Sequence, residues 1–229
     1  MIPFLDLLYE QVELSQTDAD VSAANATEYT FSGKALGAAH TNRKIVVHIT
    51  FEDTSDAGST ISSVVTGGIS AGIVSDGSTS AISDSGSGDT EISALYIASV
   101  PTGTTGDVVV TLNEAVTNCS ITIYRLINAA TTAYHVQTDN TVTTNALSVS
   151  LNIPGFGAAV GGVHFLTGGS PATTTWTGLT EDVDGTVEAD VSRSSASGRF
   201  ASAQTGRTVT ATASTGVEGA LVAASFKPL

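Results

Sequence analysis

Short segments in which apolar and small polar residues alternate constrain this chain more than any other feature. The clearest is residues 147–153, Leu-Ser-Val-Ser-Leu-Asn-Ile. Successive side chains of a β-strand point to opposite faces of a sheet, so this spacing places four apolar side chains on one face and three polar ones on the other. Further strand-like segments are residues 45–52, 92–100, 108–112, 120–127, 208–213 and 220–226.

Turn-forming segments rich in glycine, serine, threonine and aspartate separate these strands. Glycine adopts the positive φ angles that tight turns require, and aspartate and serine hydrogen-bond to the local backbone. Many short strands joined in this way predict an all-β fold, an antiparallel β-sandwich or a jelly-roll-like domain. Long amphipathic helices do not alternate with the strands in the sequence, which disfavours a parallel α/β sheet.

The two halves of the chain resemble each other. Four segments of the first half have counterparts in the second: Thr66-Gly67 in Thr177-Gly178, residues 96–99 in 200–202, residues 106–111 in 206–210, and the run ending at Leu126 in the run ending at Phe226. We therefore expect two related β units, 21–130 and 131–229, packed separately or as one domain, after an arm of residues 1–20. Coincidence among Ser-, Thr- and Ala-rich segments is the alternative.

The chain is acidic and carries few charges. Its 229 residues include 22 Asp and Glu but 8 Lys and Arg, a formal net charge of −14. Binding to nucleic-acid phosphates requires clustered Lys and Arg, and here the basic residues are scattered, so we expect no direct binding to DNA or RNA. No segment approaches the roughly 20 consecutive apolar residues of a membrane-spanning helix, so we expect no membrane insertion.

The arm differs from the rest of the chain. Residues 1–9, Met-Ile-Pro-Phe-Leu-Asp-Leu-Leu-Tyr, are apolar but lack the basic flank of a secretory signal. Two interpretations stay open: the arm docks onto a partner protein, or it forms a strand that completes the protein's own sheet. The docking candidates are Phe4, Leu5, Leu7 and Leu8.

No cofactor or zinc motif is present in the sequence. It lacks a G-x-G-x-x-G loop, a Walker loop and H-E-x-x-H, and its four histidines are isolated. The single Cys119 fits a small buried residue better than a nucleophile. The segment Asp182-Val-Asp-Gly185 has two carboxylates, but ordinary turn chemistry explains it better than calcium binding. We therefore predict no catalytic, cofactor or metal residue.

Four other segments carry a resemblance to a known group of proteins. They are residues 42–47 (Asn-Arg-Lys-Ile-Val-Val), 100–111, 123–126 (Ile-Tyr-Arg-Leu) and 175–180 (Thr-Trp-Thr-Gly-Leu-Thr). Together they resemble β-rich proteins encoded by tailed bacteriophages and prophages, over most of residues 27–229. Proteins of that group are taken as virion components of the head or tail. The resemblance does not include the arm and implies no catalytic residues.

The resemblance implies a virion structural protein displayed on the particle exterior, as a capsid decoration, a head fibre or a tail-associated protein. It would assemble in the host cytoplasm, dock onto capsid or tail proteins through its arm or a sheet edge, and form homo-oligomers. The alternative is a carbohydrate- or host-surface-binding β-sandwich module, which would use exposed Trp176 or Tyr134. A hydrolase whose carboxylates are brought together by the fold is a third hypothesis.

Overall fold

Antiparallel strands build the whole of the computed structural model, which describes residues 10–54, 58–74, 80–84, 90–216 and 218–229. Strands make up 71% of the residues in these described ranges, and no helix occurs among them. The all-β prediction is confirmed. The alternation over residues 147–153 is confirmed as well, because its four apolar side chains are buried and both serines are exposed.

The first half of the chain forms nine strands within the described residues. They are β1 (Glu13–Ser22), β2 (Ala26–Ala35), β3 (Lys44–Asp53), β4 (Ile61–Thr66), β5 (Ile69–Ile73), β6 (Ser80–Asp84), β7 (Thr90–Ser99), β8 (Thr105–Val116) and β9 (Asn118–Ile127). The β4–β5 connection is a two-residue turn of Gly67 and Gly68, with φ angles of 56° and 79°. Only glycine adopts such angles without strain, and a Gly-Gly pair is typical of the tight turns that join antiparallel strands.

The second half forms eight more strands in the described ranges. They are β10 (His135–Thr141), β11 (Ala146–Ile153), β12 (Gly157–Leu166), β13 (Thr174–Thr177), β14 (Thr180–Glu188), β15 (Val191–Phe200), β16 (Gln204–Ala213) and β17 (Glu218–Phe226).

The two halves have the same strand order. In the first half one layer runs β1-β9-β3-β7, with β5 and β6 both on the free edge of β7, and a second layer runs β4-β8-β2. β5 also pairs with β4, so the two layers of this half form one nine-stranded sheet. In the second half the layers run β10-β17-β12-β15-β14 and β11-β16-β13. Three of the four matched segments lie on corresponding strands or turns. The fourth does not, because residues 96–99 lie within β7 whereas only Phe200 of residues 200–202 belongs to β15.

The four layers stack one on another. Apolar residues of β2, β4 and β8 pack against one face of β3, β7 and β9. Those of β11, β13 and β16 pack in the same way against β12, β15 and β17. A third cluster lies between the two halves, where β3, β7 and β9 meet β12 and β17. Each fully buried large aliphatic side chain stabilises the fold by about 1.5–3 kcal/mol, so all three interfaces hold the layers together.

The predicted arm divides into two parts. Residues 1–9, including Phe4, Leu5, Leu7 and Leu8, lie outside the described residues. Residues 13–20, by contrast, belong to β1, which pairs with β9 from Glu13 opposite Ile127 to Ser22 opposite Cys119. This corrects the sequence-based boundary at residue 20, because this part of the arm supplies an edge strand of the protein's own sheet.

Candidate functional site

One end of the molecule gathers the start of the described chain and several strand ends. The Val12 amide donates to the Phe156 carbonyl at 2.9 Å, and Val12 is fully buried. Asn128 connects the same region to both ends of the chain. Its side-chain amide donates to Glu10 at 2.6 Å, and its carbonyl accepts from the Leu229 amide at 2.9 Å. Glu10, the first described residue, therefore lies at this end of the molecule.

Three residues at this end have exposed apolar side chains. Phe156 is 45% exposed and Leu229 64% exposed. Tyr134 is 52% exposed, and its amide donates to Ser225 near the end of β17. We call Phe156, Tyr134 and Leu229 the apolar end. Since water-exposed aromatic side chains grouped on one surface mark interaction sites, this end is the candidate docking site.

Phe156 also has an unusual backbone. Its φ angle is +58°, in the left-handed region where a bulky side chain costs roughly 1–2 kcal/mol. It lies in the turn between β11 and β12, directly after Pro154-Gly155. Strained backbone conformations cluster at functional sites. The exposed and strained Phe156 is therefore a candidate contact residue.

Trp176 does not have the position that surface binding requires. It is 8% exposed and belongs to the core between the two layers of the second half. Its indole nitrogen donates to the Ser194 hydroxyl at 2.8 Å. The ring lies against Gly161, where an added Cβ would sit 3.2 Å from it. The expectation of an exposed Trp176 is therefore corrected: burial of its large apolar ring outweighs exposure, and Tyr134 alone of the two candidates is exposed.

A polar seam, defined by His48, Glu91, Ser93, His164 and Arg193, lies between the two halves. Glu91 and His164 form an ion pair in which both side chains are fully buried. His48 Nε2 lies 2.8 Å from the Ser93 hydroxyl, which donates to the Gly162 carbonyl at 3.0 Å. Arg193 donates to the Ile121 carbonyl at 2.7 Å. These bonds connect β3 and β7 of one half to β12 of the other, and β15 to β9.

The seam resembles catalytic chemistry only in its residue types. His48 and Ser93 are 2% and 0% exposed, so no substrate reaches their contact. Burial, together with the charges of Arg193 and His164, lowers the pKa of His48 to about 3. Burial likewise lowers the pKa of Arg193 to about 10. A neutral His48 that bonds Ser93 is a structural histidine, and the seam fixes how the two halves pack.

Other reactive groups are also buried or isolated. Burial raises the pKa of the Cys119 thiol well above its ordinary value, so the thiol stays protonated and unreactive. Burial also raises the pKa of Asp182, which accepts a hydrogen bond from Tyr124 at 3.1 Å. Within the described ranges, no group of three or more His, Cys, Asp or Glu side chains is placed to hold a metal ion.

One motif was missed in the sequence. Residues 68–72, Gly-Ile-Ser-Ala-Gly, have the G-x-S-x-G spacing of a hydrolase nucleophile elbow. That motif requires a sharp strand-to-helix turn, whereas here Ser70 lies on β5 and pairs with Val65 across a hairpin. No described residue hydrogen-bonds to the Ser70 side chain, so the spacing is not accompanied by a base.

Comparisons with known proteins add little. No protein-family model matches the chain, and no curated protein matches it. Among solved structures, it is similar to a chain in the cryo-EM structure of the Sputnik virophage, with 8% identity over 99% of this chain and 89% of that chain. The TM-score is 0.19, which carries no inference about fold or function. In the part of the chain that the structure describes, no helix has the length and hydropathy needed to cross a membrane.

Proposed function

We propose that this protein is a structural component of a tailed-phage virion, displayed on the particle exterior as a capsid decoration, a head fibre or a tail-associated protein. It acts by assembly, with capsid or tail proteins and further copies of itself as partners. One observation carries the proposal. Glu10, which the apolar segment 1–9 precedes in the sequence, lies at the same end as the exposed Phe156, Tyr134 and Leu229. The exposed apolar side chains at this end support docking onto a partner, and the apolar sequence of residues 1–9 suits the same role.

The rest of the molecule suits display in solvent. Four layers joined by buried apolar and polar contacts make a rigid body. A net charge of −14 keeps such bodies apart when many are concentrated on one particle. Edge strand β14 carries Glu181, Asp182, Asp184 and Glu188 and has two register shifts. Charges and bulges on an edge disfavour unwanted strand pairing, so β14 is protected against pairing with another chain.

Removal of residues 1–9 tests the docking role directly. We expect the shortened protein, which starts from a new Met before Glu10, to fold but to be depleted from purified particles at least about tenfold, because four apolar side chains no longer bury surface. Copies per particle are counted by quantitative mass spectrometry. A second variant keeps the full length but has serine in place of Phe4, Leu5, Leu7 and Leu8. It should be depleted equally, because it lacks the same apolar side chains. Normal incorporation of both proteins would contradict the proposal.

The deletion has to end at residue 9 so that the folded body of the protein stays intact. Removal of residues 1–16 would also remove Val12, which is fully buried, and the first four residues of β1. Loss of incorporation would then follow from an incomplete sheet as readily as from a lost docking element.

Replacement of Phe156 by glycine separates docking from folding. Glycine adopts φ +58° without strain, which offsets its greater flexibility in the unfolded chain, so we expect an unchanged or slightly higher Tm. Loss of the aromatic ring should reduce incorporation into particles by roughly tenfold. Val142→Ser is the control, since Val142 is similarly exposed (41%) but follows β10 at its other end. Equal incorporation of F156G and the wild type would exclude Phe156 from the docking surface.

The alternative function is binding to carbohydrate or another host surface. Tyr134 is the exposed aromatic residue that this function could use. A polar groove beside the end of β15 also favours it.

A further inference from the structure

A polar groove of about 320 Å³ lies beside the end of β15. Gly178, Thr180, Gly198, Arg199, Phe200 and Arg207 line it. The pairing of β14 with β15 begins at Thr180 opposite Ser197, so β14 does not continue alongside Gly198 to Phe200. The groove therefore lies where the edge of β15 has no pairing with β14, and Arg207 of β16 lines it.

Arg207 is held in position by three contacts. Its Nε donates to the Gly178 carbonyl at 2.7 Å, and its Nη1 donates to the Gln204 side chain at 3.4 Å. Its guanidinium carbon lies 4.8 Å from the centre of the Phe200 ring, a cation–π contact. An arginine has five N–H donors, and only two of them are used by described residues. The remaining donors are presented on a side chain whose orientation is already fixed.

Neither arginine of the groove is neutralised by a nearby acid. Among the described residues, no carboxylate lies within 4.0 Å of Arg199 or Arg207. The chain has 22 acidic residues for 8 Lys and Arg, and among the described residues two of those eight, Lys34 and Arg125, form an ion pair with a carboxylate. Arg207 is held in place in a groove of an acidic protein, with donors that no described residue uses, and so offers a site for an external anion.

We propose that this groove binds a carboxylate-bearing sugar residue. The planar Arg207 guanidinium, steadied by Phe200, presents a fork that matches a carboxylate. Arg199 adds a second positive charge, and the Thr180 hydroxyl can hydrogen-bond to sugar hydroxyls. A volume of about 320 Å³ lies at the small end of ligand pockets and suits one sugar ring more than an extended peptide. The inference is independent of assembly, because the apolar end does not include these residues.

The binding test uses the full-length protein and defined probes. Isothermal titration calorimetry or ligand-observed NMR is recorded with glucuronate, N-acetylneuraminate, glucose and acetate. We expect at least one of the two acidic sugars to bind, glucose to show no binding, and acetate to bind at least tenfold more weakly than that sugar. No binding by either acidic sugar overturns the proposal. Equal binding of glucose overturns the role of the carboxylate, and equal binding of acetate overturns the role of the sugar and leaves a simple anion site.

Variants assign the binding to the groove. R207M should lose at least tenfold in affinity, and R207K should lose most of the binding too, because lysine has no planar fork. R125M is the matched control, since Arg125 is a partly exposed arginine outside the groove. If R207M does not fold, R199M decides the matter, because Arg199 is exposed and makes no hydrogen bond to a described residue. Wild-type affinity in R199M and R207M would overturn the site, while normal particle incorporation of these variants keeps the assembly proposal separate.

Discussion

Replacement of Arg43 by methionine is expected to lower the free energy of unfolding by about 4 kcal/mol or more. Arg43 is fully buried and donates to five backbone carbonyls, and no other residue in the described part of the chain combines so many loop contacts. The acceptors are Val100 at 2.6 Å, Leu36 at 3.3 Å, Gly37 at 2.7 Å, Thr102 at 2.6 Å and Gly103 at 2.8 Å. All five donors of the guanidinium are therefore used.

The size of the effect follows from what methionine leaves behind. A hydrogen bond to a charged group contributes about 1.5–3 kcal/mol, and a buried acceptor without a donor costs about 1–3 kcal/mol. Water can hydrogen-bond to some of the freed carbonyls. Even then, loss of the bonds to Val100 and Leu36 alone lowers the free energy of unfolding by about 4 kcal/mol. Burial and the charge of Arg125 lower the pKa of Arg43, but a guanidinium stays protonated at any pH the fold survives.

Chemical denaturation at pH 7 measures this loss. R43K should be intermediate, because its three donors can satisfy part of the carbonyls. R125M should cost less than about 1 kcal/mol, since Arg125 makes its contacts near the surface. A loss below about 1 kcal/mol in R43M would show that water replaces the guanidinium.

Replacement of Gly162 by alanine is expected to cost about 3 kcal/mol or more, the upper range for an overpacked core. A Cβ on Gly162 would lie 2.1 Å from His48 Nε2 and within 2.3 Å of two further ring atoms. The ring cannot move away freely, because it is bonded to Ser93 and buried between the two halves. The added methyl group therefore has to separate β12 from β3.

A double-mutant cycle isolates this clash. Removal of the ring in His48→Ala should be destabilising by itself, yet H48A should make G162A less costly, with a coupling of about 1 kcal/mol or more between the two sites. Gly185→Ala is the control, because an added Cβ there meets nothing within 4 Å. Additive losses in the double variant would place the strain of G162A elsewhere than at His48.

Local sequence patterns predicted most of the strands and their repetition. Residues 147–153 form the alternating part of β11, and the Gly-rich pairs 66–67 and 177–178 mark equivalent turns. Both features depend on side-chain period and turn chemistry, which act over a few residues. The contacts of Arg43 could not be predicted, because its acceptors in the 100–103 loop are 57 to 60 residues away.

The candidate site was only partly predictable. An apolar segment at residues 1–9 is visible in the sequence, and so is Tyr134. The position of Tyr134 at the same end of the molecule as Glu10, and the participation of Phe156, follow from the arrangement of β12 and β17. The groove at Arg207 depends on where β14 stops along β15, which no local pattern records.

By itself, the sequence determined an all-β fold, because alternation and turn residues are local properties. The tertiary structure alone decided which polar faces meet water. His48, Thr50 and Glu52 alternate with apolar residues on β3 as they would in a half-exposed strand, yet all ten residues of β3 are buried. A polar face looks the same in sequence whether water or a second sheet satisfies it. Here His48, Thr50 and Glu52 hydrogen-bond to Ser93, Ser120 and Asn118 of neighbouring strands. The other half of the chain covers this face, with Gly162 lying against the His48 ring.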